Sequence, residues 1–235
     1  MRLIALLMTV MVAACGRSED RPAGDAYLFD GPAPGPDAAA PAEPLAIPDS
    51  APTVVFLGDS IGAGLHLSEH LAFPSVLQAR LAQAGLPFHL ISACESGRTT
   101  AGGVTALEWV MPRNPALVVI ELGGNDGLRG VALESIEKNL RTMIERAKAG
   151  GAKVLLLGVR LPPNLGEYGA EFDALYPALA KEYAIAFEPS FMRDVGAVPA
   201  MNLADGLHPT AEGHERLADN VEPALRAALE GVTRR

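Results

Sequence analysis

Leu117-Val118-Val119-Ile120-Glu121-Leu122-Gly123-Gly124-Asn125-Asp126-Gly127 carries the reading of the whole chain. Its apolar, largely β-branched first half suits a strand covered on both faces, where neither side of the pleat meets water. Its second half turns abruptly to glycine with an amide and a carboxylate, a bend that projects polar groups from a strand end. The pattern repeats on either side. Thr53-Val54-Val55-Phe56-Leu57 is a similar run that ends in Gly58-Asp59-Ser60, and Phe88 to Ser92, Val154-Leu155-Leu156-Leu157 and Ile185 to Phe187 read as further strands. Helical spacing predicts helices over Pro74–Ala84, Ala101–Met111, Ser135–Ala149, Phe172–Tyr183 (with Pro177 inside) and from Thr210 onward, interrupted near Pro223. Glu137 and Arg141 support the third helix at i,i+4, and Gly150-Gly151 stops it. Alternating strands and helices imply an α/β fold: a parallel sheet with helices on both faces, whose ligands lie beyond the carboxyl ends of the strands.

Composition bounds what such a domain can do. The chain has 235 residues, a formal charge of −9, 49% hydrophobic and 20% charged residues, which suits a globular core and excludes wholesale disorder. The acidic balance argues against nucleic acid, which needs a basic face to neutralise phosphates. Two cysteines, Cys15 and Cys94, rule out a disulfide scaffold. No apolar run approaches the ~20 residues needed to span a bilayer.

The front of the chain reads as an address and a tether. Residues 1–14 hold one Arg, a short apolar stretch and small residues before Cys15, the form of an export signal. Val12-Ala13-Ala14-Cys15 resembles a bacterial lipobox, which implies a lipoprotein signal peptide over 1–14 and lipidation of Cys15. Ordinary secretion with Cys15 incidental is the other reading. Gly16 after the cysteine favours the outer membrane over the inner, on resemblance to such lipoproteins. Residues 15–52 are rich in Pro and Ala, poor in large apolar side chains, and fit a semi-rigid linker. The domain proper is then 53–235. The expectation is a periplasm-facing protein of the bacterial cell envelope, held to the membrane by its N-terminal lipid, or secreted if Cys15 is not modified.

Three strand ends and one late loop concentrate the polar residues. Singly, Asp, Ser, Asn and Gly are turn residues. Together they supply what acyl transfer needs: a hydroxyl nucleophile, a base, a group to orient that base, and oxyanion donors. Ser60 follows the first strand, Asn125 follows the third, and Asp205-Gly206-Leu207-His208-Pro209 precedes the last helix. Asp205 sits three residues before His208, so its carboxylate can reach Nδ1–H locally and leave Nε2 for Ser60. Of the other histidines, His89 is expected to pack within a strand and His214 to face solvent on the terminal helix. His66 and His70 follow the serine loop and could line the mouth of the site. No H-E-x-x-H, Cys/His cluster, P-loop or dinucleotide fingerprint is present, so neither metal nor cofactor is expected. Gly58-Asp59-Ser60-Ile61-Gly62 also fits the G-x-S-x-G elbow of α/β-hydrolases, but that fold places its serine after several strands, whereas here it ends the first.

These blocks resemble the SGNH, or GDSL, hydrolase superfamily, and within it the branch called thioesterase I, lysophospholipase L1 or arylesterase. The resemblance spans roughly 53–230 and rests on Gly58-Asp59-Ser60, Ser96-Gly97 with Thr99-Thr100-Ala101-Gly102-Gly103, Glu121 to Gly130, Arg160-Leu161-Pro162-Pro163-Asn164, and Asp205 to Pro209. It implies a three-layer, flavodoxin-like α/β/α sandwich on a five-stranded parallel sheet. It implies Ser60, Asp205 and His208 as the catalytic triad, with an oxyanion hole from the Ser60 and Gly97 N–H groups and the Asn125 side chain. The Leu161–Gly169 loop would border the acyl pocket. The implied substrates are small ester or lipid molecules: aryl and short-to-medium acyl esters, lysophospholipids and acyl thioesters. A carbohydrate O-acetylesterase and a non-catalytic envelope lipoprotein are the alternatives. Ile61-Gly62 and Glu95 depart from the common pattern of relatives, and Cys94 reads as a small buried apolar residue.

Overall fold

The computed structural model describes residues 46–232. The expected signal peptide over 1–14, the lipidation site Cys15 and most of the 15–52 linker lie outside the described residues. Just before the first strand, Ala51 is buried, and Pro52 O accepts the His89 N–H at 2.8 Å.

Among the described residues the strands are β1 (Thr53–Gly58), β2 (His89–Cys94), β3 (Leu117–Glu121), β4 (Lys153–Leu157) and β5 (Ala186–Glu188). All four neighbouring pairs are parallel, in the order β2-β1-β3-β4-β5. The helices are α1 (Ser60–Ala63), α2 (Phe73–Gln83), α3 (Thr100–Val110), α4 (Gly124–Leu128), α5 (Leu133–Ala149), α6 (Gly166–Tyr183) and α7 (Ala211–Leu229).

The period of two along each strand divides the core. Val54, Phe56, Val119, Leu155 and Leu157 face one way, against Phe73 and Leu77 of α2 and Leu217, Val221 and Leu225 of α7. Val55, Leu57, Val118, Ile120 and Leu156 face the other, against Leu107 of α3, Ile136, Leu140 and Met143 of α5, and Phe172 and Tyr176 of α6. This is the three-layer sandwich expected from the sequence. Both faces are covered, so β3 is buried at every position, as its unbroken apolar run requires.

The departures from the expected elements are local. Asn125 was expected on a glycine-rich bend; the chain instead makes the short helix α4 there. The serine likewise opens a helical turn, α1. Helix α6 begins at Gly166, ahead of the expected Phe172, although Gly166 and Gly169 read as loop. Tertiary contact outweighs that propensity: Tyr168 Oη–H donates to Val131 O at 2.7 Å, and Gly169 is buried.

Candidate active site

Each functional side chain is delivered by the carboxyl edge of the sheet. At the end of β1, Asp59 caps α1, its Oδ1 accepting the Ile61 N–H at 2.9 Å. That cap fixes the turn on which Ser60 sits, 8% exposed. His208 comes from the far end of the chain, in a loop between β5 and α7. An antiparallel bridge between Asn202 and Pro209 closes that loop, and Leu203 N–H donates to His208 O at 2.7 Å. The Asn202 amide holds its base, donating to Val195 O at 2.6 Å and Val198 O at 2.8 Å.

Ser60, His208 and Asp205 form one hydrogen-bonded line. Ser60 Oγ lies 2.9 Å from His208 Nε2, and His208 Nδ1 lies 2.7 Å from Asp205 Oδ2. Asp205 Oδ1 also accepts the backbone N–H groups of Leu207, at 2.9 Å, and His208, at 3.0 Å. Hydrogen bonds from the His208 ring and then from these amides hold the Asp205 carboxyl far below the usual carboxylate range, so it is ionised at neutral pH. An ionised Asp205 accepts from Nδ1–H. That assigns the tautomer with a bare Nε2, which accepts the Ser60 hydroxyl proton.

Asn125 comes from α4 and Gly97 from the loop between β2 and α3. The Asn125 amide donates to Asp59 Oδ2 at 3.1 Å, which places it beside the serine turn with its second N–H available. Gly97 has φ of +78°, a left-handed backbone that glycine adopts without strain. Arg129 ties the two together, donating to Gly97 O and to Asn125 Oδ1, both at 3.3 Å. Asp126, buried one residue further on, accepts from Thr100 N at 2.8 Å and Thr100 Oγ1 at 2.6 Å, joining α4 to the start of α3.

The remaining histidines divide. His66 sits edge-on to His208 at 6.1 Å between ring centroids, while His89 Nε2 lies 3.0 Å from Pro48 O at the far end of β2. His214 departs from the expectation of a solvated side chain. It is 1% exposed, and its Nδ1 accepts the Phe73 N–H at 3.1 Å. The first turn of α7 packs against the start of α2, and a donor left by that helix end claims the ring. Cys94 is half-buried with its Sγ against the α1 turn, and desolvation of that sulfur pushes its thiol well above the ordinary range. It stays protonated and unreactive.

Sequence reasoning passed over Asp59, Glu121 and Arg129 as site components. Asp59 looked like a turn residue, Arg129 like surface charge, and Glu121 was the one polar letter in a buried strand, a signal that did call for an explanation. Among the described residues, no group of three or more His, Cys, Asp or Glu is arranged to hold a metal ion.

A parallel α/β sandwich with a Ser-His-Asp line at its carboxyl edge, the serine following the first strand, defines a hydrolase of the SGNH class. Residues 56–216 match the GDSL-like Lipase/Acylhydrolase family, and the chain belongs to it. It is 45% identical to Esterase TesA of Pseudomonas aeruginosa over 182 residues, covering 77% of this chain and 90% of that protein. It is 37% identical to Thioesterase 1/protease 1/lysophospholipase L1 of Escherichia coli over 172 residues, 72% of this chain and 81% of that protein. A crystal structure of TesA superposes with a TM-score of 0.72 at 45% identity, over 75% of this chain and 99% of that one.

Proposed function

We propose that this chain hydrolyses carboxylic esters, and acyl thioesters, through an acyl-enzyme on Ser60. The observation that carries the reading is the unbroken line from Ser60 Oγ through His208 to Asp205, at 2.9 and 2.7 Å. As Oγ attacks the acyl carbonyl, Nε2 takes its proton, and Asp205 stabilises the imidazolium that forms. We assign the Ser60 and Gly97 N–H groups and the second Asn125 N–H as the donors to the developing oxyanion. His208 then protonates the departing alcohol or thiol. Water, activated by the same imidazole, releases the acid.

The names of the relatives, Esterase TesA and Thioesterase 1/protease 1/lysophospholipase L1, support carboxylic esters and thioesters as the substrate class. A groove of about 620 Å³ lies beside this site, lined by Ser96, Gly97, Thr99, Thr105, Ala106 and Trp109; it meets the proposed site at Gly97, and neither Ser60 nor His208 lines it. The test is a series of p-nitrophenyl esters of graded acyl length, with Ser60→Ala as control. Loss of turnover in S60A is expected, and retained turnover would remove Ser60 from its role. A steep preference for acetyl over octanoyl esters would point to an O-acetylesterase instead.

We further propose that the protein is exported as a lipoprotein, with residues 1–14 as signal peptide and Cys15 as the lipidated residue at the envelope membrane. The support is the sequence Val12-Ala13-Ala14-Cys15 and the Pro-rich stretch that follows. Cys15→Ser is expected to move the protein from the membrane fraction to the soluble one. An unchanged distribution argues against the anchor.

A further inference from the structure

Glu121 is a carboxyl in an unusual place. It ends the central strand β3, is 2% exposed, and lies directly beneath the serine turn. Its Oε2 accepts two backbone N–H groups of that turn, from Asp59 and from Gly62, each at 3.2 Å. The turn is shaped to admit it: a Cβ at Gly58 would stand 2.4 Å from Oε2, and one at Gly62 2.8 Å. The Asp59 carboxyl, 5% exposed, belongs to the residue whose N–H Glu121 accepts, so the two buried acids are neighbours. Among the described residues no lysine or arginine pairs with either acid.

Two neighbouring buried carboxyls without a cation do not both ionise; one keeps its proton and can donate it to the other. The partners already named decide which. Asp59 accepts at both oxygens, from Ile61 N–H and from the Asn125 amide, so it is the anion. Glu121 has one oxygen engaged by two N–H groups and the other free to carry the proton. Burial and then the Asp59 charge push the Glu121 carboxyl well above its usual range, in the same sense.

Resting on the esterase reading above, we infer that Glu121 is a positioning residue of the oxyanion hole. As a neutral acid it donates to Asp59, whose carboxylate draws one Asn125 N–H to itself and so leaves the other aimed at the reacting carbonyl. The acid thereby acts on the chemistry through two intermediaries, and holds the serine turn through two backbone amides.

The proposal distinguishes substitutions by hydrogen-bonding capacity. Gln at 121 keeps every bond, its carbonyl accepting the two N–H groups and its amide donating to Asp59, so Glu121→Gln is expected to retain kcat within about threefold. Glu121→Leu is expected to lower kcat about 10–100-fold with KM little changed, short of the 10²–10³ that removing a donor outright costs. A protonated-carboxyl C=O band in the infrared spectrum of the resting wild type should vanish in E121Q. Impairment of a folded E121Q as deep as that of E121L, full activity in E121L, or an infrared difference with no acid band would each overturn the proposal. If E121L fails to fold, E121Q and the infrared band decide alone. Retained turnover in S60A would instead sink the esterase reading, and the band would still report the Glu121 proton.

Discussion

Asp205 grips His208 at two points, accepting the ring Nδ1–H at 2.7 Å and the backbone N–H at 3.0 Å, so one carboxylate sets both the tautomer of the imidazole and the course of its loop. The grip survives although the Asp205 side chain is 42% exposed, because three hydrogen bonds converge on it within a single turn. Asp205→Asn replaces an acceptor facing Nδ1 with an amide that can present N–H and favour the wrong tautomer. A fall in kcat of about 10³–10⁴ is expected, as in triads generally. Steady-state kinetics on a p-nitrophenyl ester would check it, and a loss under tenfold would show that His208 is oriented by something else.

Arg129 bridges α4 and the loop before α3, which carry the proposed oxyanion donors, donating to Gly97 O and Asn125 Oδ1. Asn125→Ala removes a donor and is expected to cost about 10²–10³ in kcat. Arg129→Ala leaves the donors present but loosens their spacing, so a smaller loss, about tenfold, is expected, with melting temperature nearly unchanged because the side chain is exposed. The two losses should not add, since both act on the same amide. Additive losses in the double variant would separate Arg129 from the hole.

Much of this was legible before any coordinates. Buried strands write themselves as continuous apolar runs, and the alternation of Val54 with Val55, or Val118 with Val119, to opposite layers follows from the pleat alone. The Ser60, Asn125 and His208 loops were readable because a parallel sheet gathers strand ends on one edge. Hidden were the residues whose significance depends on what crosses from another element. Glu121 could not be read as the floor of the serine turn, because the Gly62 contact spans 59 positions. His214 could not be read as buried, because the amide it accepts lies 141 positions away on Phe73. The short helix at Gly124–Leu128 has a composition that favours turns, and only its tertiary bonds settle it.

Gly123 sits at φ +122°, where side chains other than glycine are strained, and a Cβ there would stand 2.0 Å from Tyr176 Oη. That hydroxyl donates to Leu122 O at 2.9 Å, so it cannot simply swing aside. Gly123→Ala is therefore expected to destabilise by about 3 kcal/mol or more and to displace Asn125, lowering kcat as well. Tyr176→Phe removes the obstructing atom, so the double variant should recover part of the stability by denaturant titration. No recovery would place the whole cost in the backbone.

His214 makes folding stability fall in mild acid. Burial lowers its pKa to about 4, against about 6.5 in an unfolded chain. Between those values the unfolded chain binds a proton that the folded one refuses, so unfolding gains as pH drops. The contribution of the neutral ring is complete above pH ~6.5, declines as pH falls towards about 4, and is constant below that. The reason is structural. Nδ1 must stay bare to accept the Phe73 N–H, and a charged ring stacked on Phe73 at 6.3 Å would lie in the core. His214→Gln keeps an acceptor without the titration. Unfolding free energy measured from pH 7 to 4 should therefore fall less steeply in H214Q, by up to about 1.4 kcal/mol per pH unit, the slope of one proton. Parallel curves for the two proteins would mean that the ring takes up its proton while folded, and the buried acceptor role assigned to it would fail.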